Sequence, residues 1–93
     1  MPFTKVNGPQ NRHRVTLYAL STCGWCRKTK ELLQKNGIEY QFIDVDLTTG
    51  QEREEIVNQV RQFNPRSSYP TIIIDDQVVI GYDEEKIKQL LEI

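Results

Sequence analysis

Cysteine, histidine, methionine and tryptophan are all scarce: the 93 residues hold two, one, one and one of them. Net charge is nearly absent as well. Lys plus Arg number 12 against 13 for Asp plus Glu, so no field exists to hold nucleic acid or an anionic membrane surface by charge alone. Long apolar runs are missing too. The aliphatic run Ile72-Ile73-Ile74 falls far short of the roughly 20 residues needed to cross a bilayer, and Met1 to Gln10 has no apolar centre of the kind a secretory leader carries. The expected protein is intracellular and cytoplasmic, with no membrane or nucleic-acid partner. What is present fits one small globular domain. Hydrophobic residues make up 38% and charged residues 27%, too apolar and too balanced for a disordered chain, and 93 residues leave room for one core.

Residues 1–14 carry Pro2, Asn7, Gly8, Pro9 and Asn11 with little apolar periodicity, which predicts a flexible arm before a domain over residues 15–93. Val15 to Leu20 is nearly continuous in apolar, β-branched and aromatic types, the pattern of a strand buried on both faces. A helix then follows to Lys35, and Asn36-Gly37 supplies a left-handed cap at its end. Ile38 to Val45 alternates like a second strand. Thr49 followed by Glu52 reads as a capping box, and Ile56, Val57, Val60 and Phe63 recur at helical spacing until Asn64-Pro65 stops them. Thr71 to Ile74 and Gln77 to Ile80 flank a turn at Asp75-Asp76. Asp83 begins a last helix that presents Ile87, Leu90 and Leu91 on one face. The expected architecture is α/β, in the order β-α-β-α-β-β-α. One parallel strand pair and an antiparallel hairpin share a four-stranded mixed sheet flanked by three helices.

The two cysteines stand three apart as Cys23-Gly24-Trp25-Cys26, a spacing that random placement gives about one time in fifty. Their position says more. Cys23 falls where a buried strand passes into the first turn of a helix, and unpaired backbone N–H groups with the helix dipole favour a thiolate there. Arg27, Lys28 and Lys30 follow and add positive charge. Cys26 lies one turn along on the inner side, so Cys23 is the expected nucleophile and Cys26 the resolving thiol of a thiol–disulfide exchange. Two thiolates fall short of the four ligands of a structural zinc site, and His13 sits in the expected arm, so no metal is assigned. A static disulfide and a passive adaptor domain are the bland alternatives.

In element order, in the position of the CxxC motif, in Tyr69-Pro70 before the hairpin and in Gly81 and Asp83 after it, the chain resembles the glutaredoxin family of thioredoxin-fold proteins over residues 15–93. The resemblance implies that Pro70 is a cis proline beside Cys23. It also implies that the Tyr69 backbone pairs with an incoming cysteine-containing peptide, and that Gly81, Tyr82 and Asp83 border the same groove. Trp25 is expected to be exposed there and to touch partner proteins. Many glutathione-using members have Pro-Tyr between the cysteines, a lysine where Leu20 stands, and paired glycines where this chain has Ile80-Gly81. The departures make the site more similar to redoxins reduced by a thioredoxin-reductase type enzyme. No resident cofactor is implied; glutathione or that reductase is the external donor, disulfide-containing proteins are the substrates, and a monomer is expected. Some relatives with glycine after the first cysteine bridge an iron–sulfur cluster between two copies, which is the alternative function, with Cys23 as ligand.

Overall fold

The computed structural model describes residues 3–93. In chain order these form β1 (Thr4–Val6), β2 (Val15–Ala19), α1 (Gly24–Lys35), β3 (Tyr40–Asp44), a 3-10 turn (Val45–Leu47), α2 (Gly50–Phe63), β4 (Thr71–Ile74), β5 (Gln77–Ile80) and α3 (Glu84–Leu91). The strands make one sheet in the order β1-β3-β2-β4-β5. Strands β2 and β3, joined through α1, run parallel, with Leu17 opposite Phe42 and Ala19 opposite Asp44. Strand β4 pairs antiparallel with both β2 and β5. This is the mixed sheet of a thioredoxin-like fold. Among the described residues no helix is long and apolar enough to cross a membrane.

The central strands explain why the core divides in two. In β2, Val15, Leu17 and Ala19 point to one face and Tyr18 to the other, as the two-residue period of a strand requires. Helices α1 and α3 cover the first face through Leu32, Leu33, Ile87 and Leu91. Helix α2 covers the second through Ile56 and Val60. Each fully buried Leu or Ile in these layers contributes on the order of 1.5–3 kcal/mol by leaving water.

Three of the four expected helix ends hold, the Asn64-Pro65 stop of α2 among them. Gly37 takes φ +66°; its N–H donates to Gln34 C=O at 3.0 Å while the Ile38 N–H donates to Leu33 C=O at 2.9 Å, which closes α1 and turns the chain toward β3. Asp83 caps α3 by accepting from the Lys86 N–H at 3.1 Å. Thr49 stands at the start of α2 but makes no side-chain capping bond. Gly50 has φ +58°, so the chain enters the helix without the geometry that would set the Thr49 hydroxyl over the Glu52 N–H.

The sheet has five strands, not the four expected, and the fifth comes from the segment read as a flexible arm. Met1 and Pro2 lie outside the described residues. Beyond them, Thr4, Lys5 and Val6 pair antiparallel with Phe42, Gln41 and Tyr40. Gln10 then clasps the turn before β3: its N–H donates to Gly37 C=O at 2.9 Å, and its C=O accepts from the Glu39 N–H at 2.9 Å. These contacts are backbone contacts at a sheet edge, and only Val6 of the strand adds an apolar side chain to the core. Apolar periodicity therefore carries no trace of them. A Cβ added to Gly8 would collide with the Gly37 carbonyl, so Gly8→Ala is expected to destabilise the protein by about 1–3 kcal/mol in urea titrations. A mobile arm would leave that substitution neutral.

Candidate functional site

Cys23 is the N-cap of α1, with extended backbone (φ −90°, ψ 120°). Its carbonyl accepts the first helical bond, from the Arg27 N–H at 3.1 Å. Its Sγ accepts from the Cys26 N–H at 3.2 Å, the place a serine or aspartate oxygen takes in an ordinary cap. Both cysteines are free thiols; Cys23 is half-buried and Cys26 buried. The helix start thus aims a backbone donor at the accessible sulfur, where negative charge would sit during exchange.

Cys26 is in a different state. Its side chain is 1% exposed, and the Leu20 N–H donates to its Sγ at 3.5 Å. Burial, foremost, then the hydrogen bond and charge of Cys23 push its thiol up to about 12, while the Leu20 N–H and the Lys30 charge act in the opposite direction. Cys26 therefore keeps its proton at neutral pH.

Trp25 of α1 excepted, the remaining expected site residues lie at the ends of β4 and β5 and at the head of α3. The Tyr69-Pro70 peptide bond is cis. Pro70 is buried, and its carbonyl accepts from the Gly81 N–H at 2.8 Å, which ties the start of β4 to the end of β5. Tyr69, Tyr82 and Cys23 all pack against the same core cluster. Tyr82 stacks on Trp25 with ring centroids 5.7 Å apart at 24°, and Trp25 remains 58% exposed. Lys28 Nζ lies 5.1 Å from the Trp25 ring centre, a cation–π distance. The Asp83 carboxylate is spent on the α3 cap. Among the three expected cations, Lys28 thus serves the tryptophan, Arg27 is exposed and Lys30 turns inward to Asp44 at 3.1 Å.

Several supporting residues escaped the sequence reading. Asp46 accepts from the Ser21 N–H at 2.8 Å and from its hydroxyl, and those bonds hold its carboxyl below the usual carboxylate range. Arg53 donates to the Asp46 carbonyl at 3.0 Å. Together they brace the loop that presents Cys23. Asn64, read only as a helix stop, is buried; its Nδ2 reaches Ser68 Oγ at 2.9 Å and Thr71 Oγ1 at 3.0 Å, and its Oδ1 accepts from the Arg66 N–H at 3.2 Å. That network shapes the chain entering Tyr69-Pro70. No spacing rule links such polar partners, because they come from separate elements. Surface hollows lined by Thr4, Phe42, Asp44 and Glu52, and by Asn11, His13, Glu39 and Asp75, include neither cysteine.

No group of three or more His, Cys, Asp or Glu side chains that could hold a metal ion stands together among the described residues. With Cys26 buried, one chain offers one accessible sulfur ligand. An iron–sulfur cluster would need a second chain and further outside thiols, so the donor set of this chain alone does not fit such a cluster.

The raised Cys26 thiol carries a stability consequence. Its value in the fold, about 12, lies above the ordinary 9.0, so the stability it contributes is whole below pH 9 and is lost as pH rises toward and through 12. Burial also raises Tyr18 and Tyr69, so the parent must be compared with a variant. Denaturant unfolding of the reduced protein is expected to weaken steadily above pH 9, and Cys26→Ala to weaken less steeply. Equal slopes in the two proteins would contradict the assignment.

With this geometry in place, comparison with known proteins is consistent. The glutaredoxin family profile matches residues 15–79. A glutaredoxin-like 8.6 kDa protein of the rubredoxin operon of Clostridium pasteurianum is 35% identical over 79 residues, spanning 84% of this chain and 97% of the relative. The crystal structure of the glutaredoxin from Methanosarcina mazei Go1 superimposes with a TM-score of 0.88 at 41% identity, covering 100% of this chain and 90% of that one. That of Methanosarcina acetivorans methanoredoxin does so with a TM-score of 0.87 at 38% identity, covering 92% and 90%. By sequence, fold and the placement of its two cysteines, the chain belongs to the glutaredoxin family.

Proposed function

We propose that the protein is a dithiol–disulfide oxidoreductase that reduces protein disulfides through Cys23 and Cys26. The observation that carries this reading is the contrast between an accessible sulfur served by a helix-start N–H and a buried, protonated sulfur one turn away. Exchange needs that contrast. The Cys23 thiolate attacks a target disulfide, forms a mixed disulfide and expels one target thiolate. Cys26 then loses its proton and displaces the second target thiolate, closing the Cys23–Cys26 disulfide. The pair gives up two electrons and the target gains them, and an external dithiol or reductase must return them.

Three features support a protein target over a small one. The dithiol stands at an exposed helix start; the Trp25–Tyr82 stack offers apolar ring surface beside it; and the Tyr69 backbone before Pro70 is available to pair with an extended peptide. Gly81, Tyr82 and Asp83 form the opposite border. Leu20 in place of a lysine, and Tyr82 after a single glycine, leave fewer polar contacts for glutathione, so a thioredoxin-reductase type enzyme is the preferred donor. The working form is a cytoplasmic monomer.

Cys23→Ser is expected to lower disulfide reduction to background, and retained turnover would remove Cys23 as the nucleophile. Cys26→Ser should trap mixed disulfides that non-reducing electrophoresis resolves. Turnover driven by a thioredoxin-reductase type enzyme should exceed that driven by reduced glutathione; the reverse order would refute the donor assignment. Anaerobic purification as a colourless monomer is the expected result, whereas a brown dimer would favour cluster binding.

A further inference from the structure

We infer that Lys30, held in place by Asp44, is a positioning residue for the second step of exchange, where its charge steadies the Cys26 thiolate as that sulfur attacks the mixed disulfide on Cys23. The inference rests on the dithiol reading above and assigns a role that the CxxC motif does not contain.

Lys30 follows Cys26 by four residues on α1, so the two share a helix face. Helical side chains lean toward the N-terminus, which carries the Lys30 stem back toward Cys26. A lysine on the outer face would extend into water. This one folds inward instead: Nζ lies 3.1 Å from Asp44 Oδ1 and 4.2 Å from the centre of the Phe42 ring, and both members of the ion pair are largely covered. Asp44 in turn is placed by the sheet. It ends β3 in register with Ala19, the neighbour of Leu20, whose N–H donates to Cys26 Sγ. The buried sulfur, its one backbone donor and the lysine charge are thus brought together by two adjacent strands and one helix.

The charges around Cys26 come from four sides. Cys23 at the helix start opposes its ionisation, and the Tyr69 phenol before β4 senses the Cys26 charge. Lys30 and the Leu20 N–H are the two groups that favour ionisation. Asp44 carries the opposite charge and is paired with the Lys30 ammonium. Its work is to hold an ammonium that would otherwise move to water, since a lysine head is strongly hydrated on a flexible stem. Without Lys30, the buried thiol would have only one weak donor to help it release a proton in a dry setting.

The step balances without another reactant. Cys26–SH releases its proton to solvent; its sulfur forms a bond to Cys23 Sγ; the bond between Cys23 Sγ and the target sulfur breaks; and the target leaves as a thiolate. Lys30 neither gives nor takes an atom.

The test uses dithiobis(nitrobenzoate), whose released thiolate absorbs visible light. In stopped flow, the full-length protein should release one equivalent as Cys23 attacks and a second as Cys26 resolves. Each pK unit of support lost would cut the thiolate fraction about tenfold. The more basic thiolate regains about half of that on a logarithmic scale through higher nucleophilicity, so Lys30→Met should slow the second phase at neutral pH by about threefold for each unit lost. The first phase should be unchanged, and the pH profile of the second should move upward. Lys30→Arg should restore the rate. The Lys30→Met/Asp44→Asn double variant, which leaves no unpaired carboxylate, should stay slow. An unchanged second phase, or equal slowing of both phases, would overturn the role of Lys30 while leaving the dithiol reading intact. Absence of an intramolecular second phase in the parent protein would overturn both.

Discussion

One hydrogen bond, from the Cys26 N–H to Cys23 Sγ at 3.2 Å, joins the fold to its chemistry. Because the accepting sulfur is itself the helix cap, it cannot shift without unmaking the first turn of α1, and the helix cannot shift without moving the sulfur. Everything upstream serves this junction. Parallel pairing of β2 with β3 delivers the chain to the head of α1, and the Cys23 N–H donates back to Leu20 C=O at 3.2 Å. Asp46 and Arg53 then brace the intervening loop from the next segment. A cysteine at any other point of the helix would lack both the free donor and the bracing.

The same junction makes the two sulfurs unequal. Two residues beyond the cap lies Trp25, facing water; three beyond lies Cys26, buried in the core cluster that also holds Leu17 and Leu33. In the proposed exchange this inequality sets the order of events, since the exposed sulfur meets the target and the buried one acts only inside the mixed disulfide. Burial protects Cys26 from partners and also withholds its proton. A mechanism of this kind therefore needs some polar support for the hidden thiol, and Leu20 and Lys30 are where the fold places it.

The course of the chain was legible wherever side-chain periodicity reports burial. Residues 71–74 and 77–80 form the hairpin where Tyr69-Pro70 and the Asp75-Asp76 turn placed it, and Val15 to Ala19 is the doubly buried strand its continuous apolar character predicts. Gly37 and Asp83 cap helices because their backbone and side-chain chemistry leaves few other uses. What stayed hidden depends on partners distant in sequence. Strand β1 is held by backbone pairing that any residues could make. The Asp46–Ser21, Lys30–Asp44 and Asn64–Thr71 contacts each join different elements, so no local pattern announces them. Thr49 shows the converse failure: a correct local signature is overruled by the positive φ of Gly50.

The walls beside the dithiol differ in stiffness, and this bears on how partners would be chosen. On one side, buried Asn64 and Thr71 bond each other and the exposed Ser68, which fixes the backbone entering Pro70 because breaking the Asn64–Thr71 bond would strand polar groups away from water. On the other side, Trp25 and Tyr82 meet ring to ring with much of the indole still in solvent. A rigid backbone edge offers hydrogen bonds that any extended peptide can satisfy, so it confers affinity with little discrimination. The indole has apolar surface left to bury, worth on the order of 1–2 kcal/mol by area, and only against a partner of complementary shape. With net charge near zero, long-range steering adds little, and in the proposed exchange the ring pair is the surface left to select among targets.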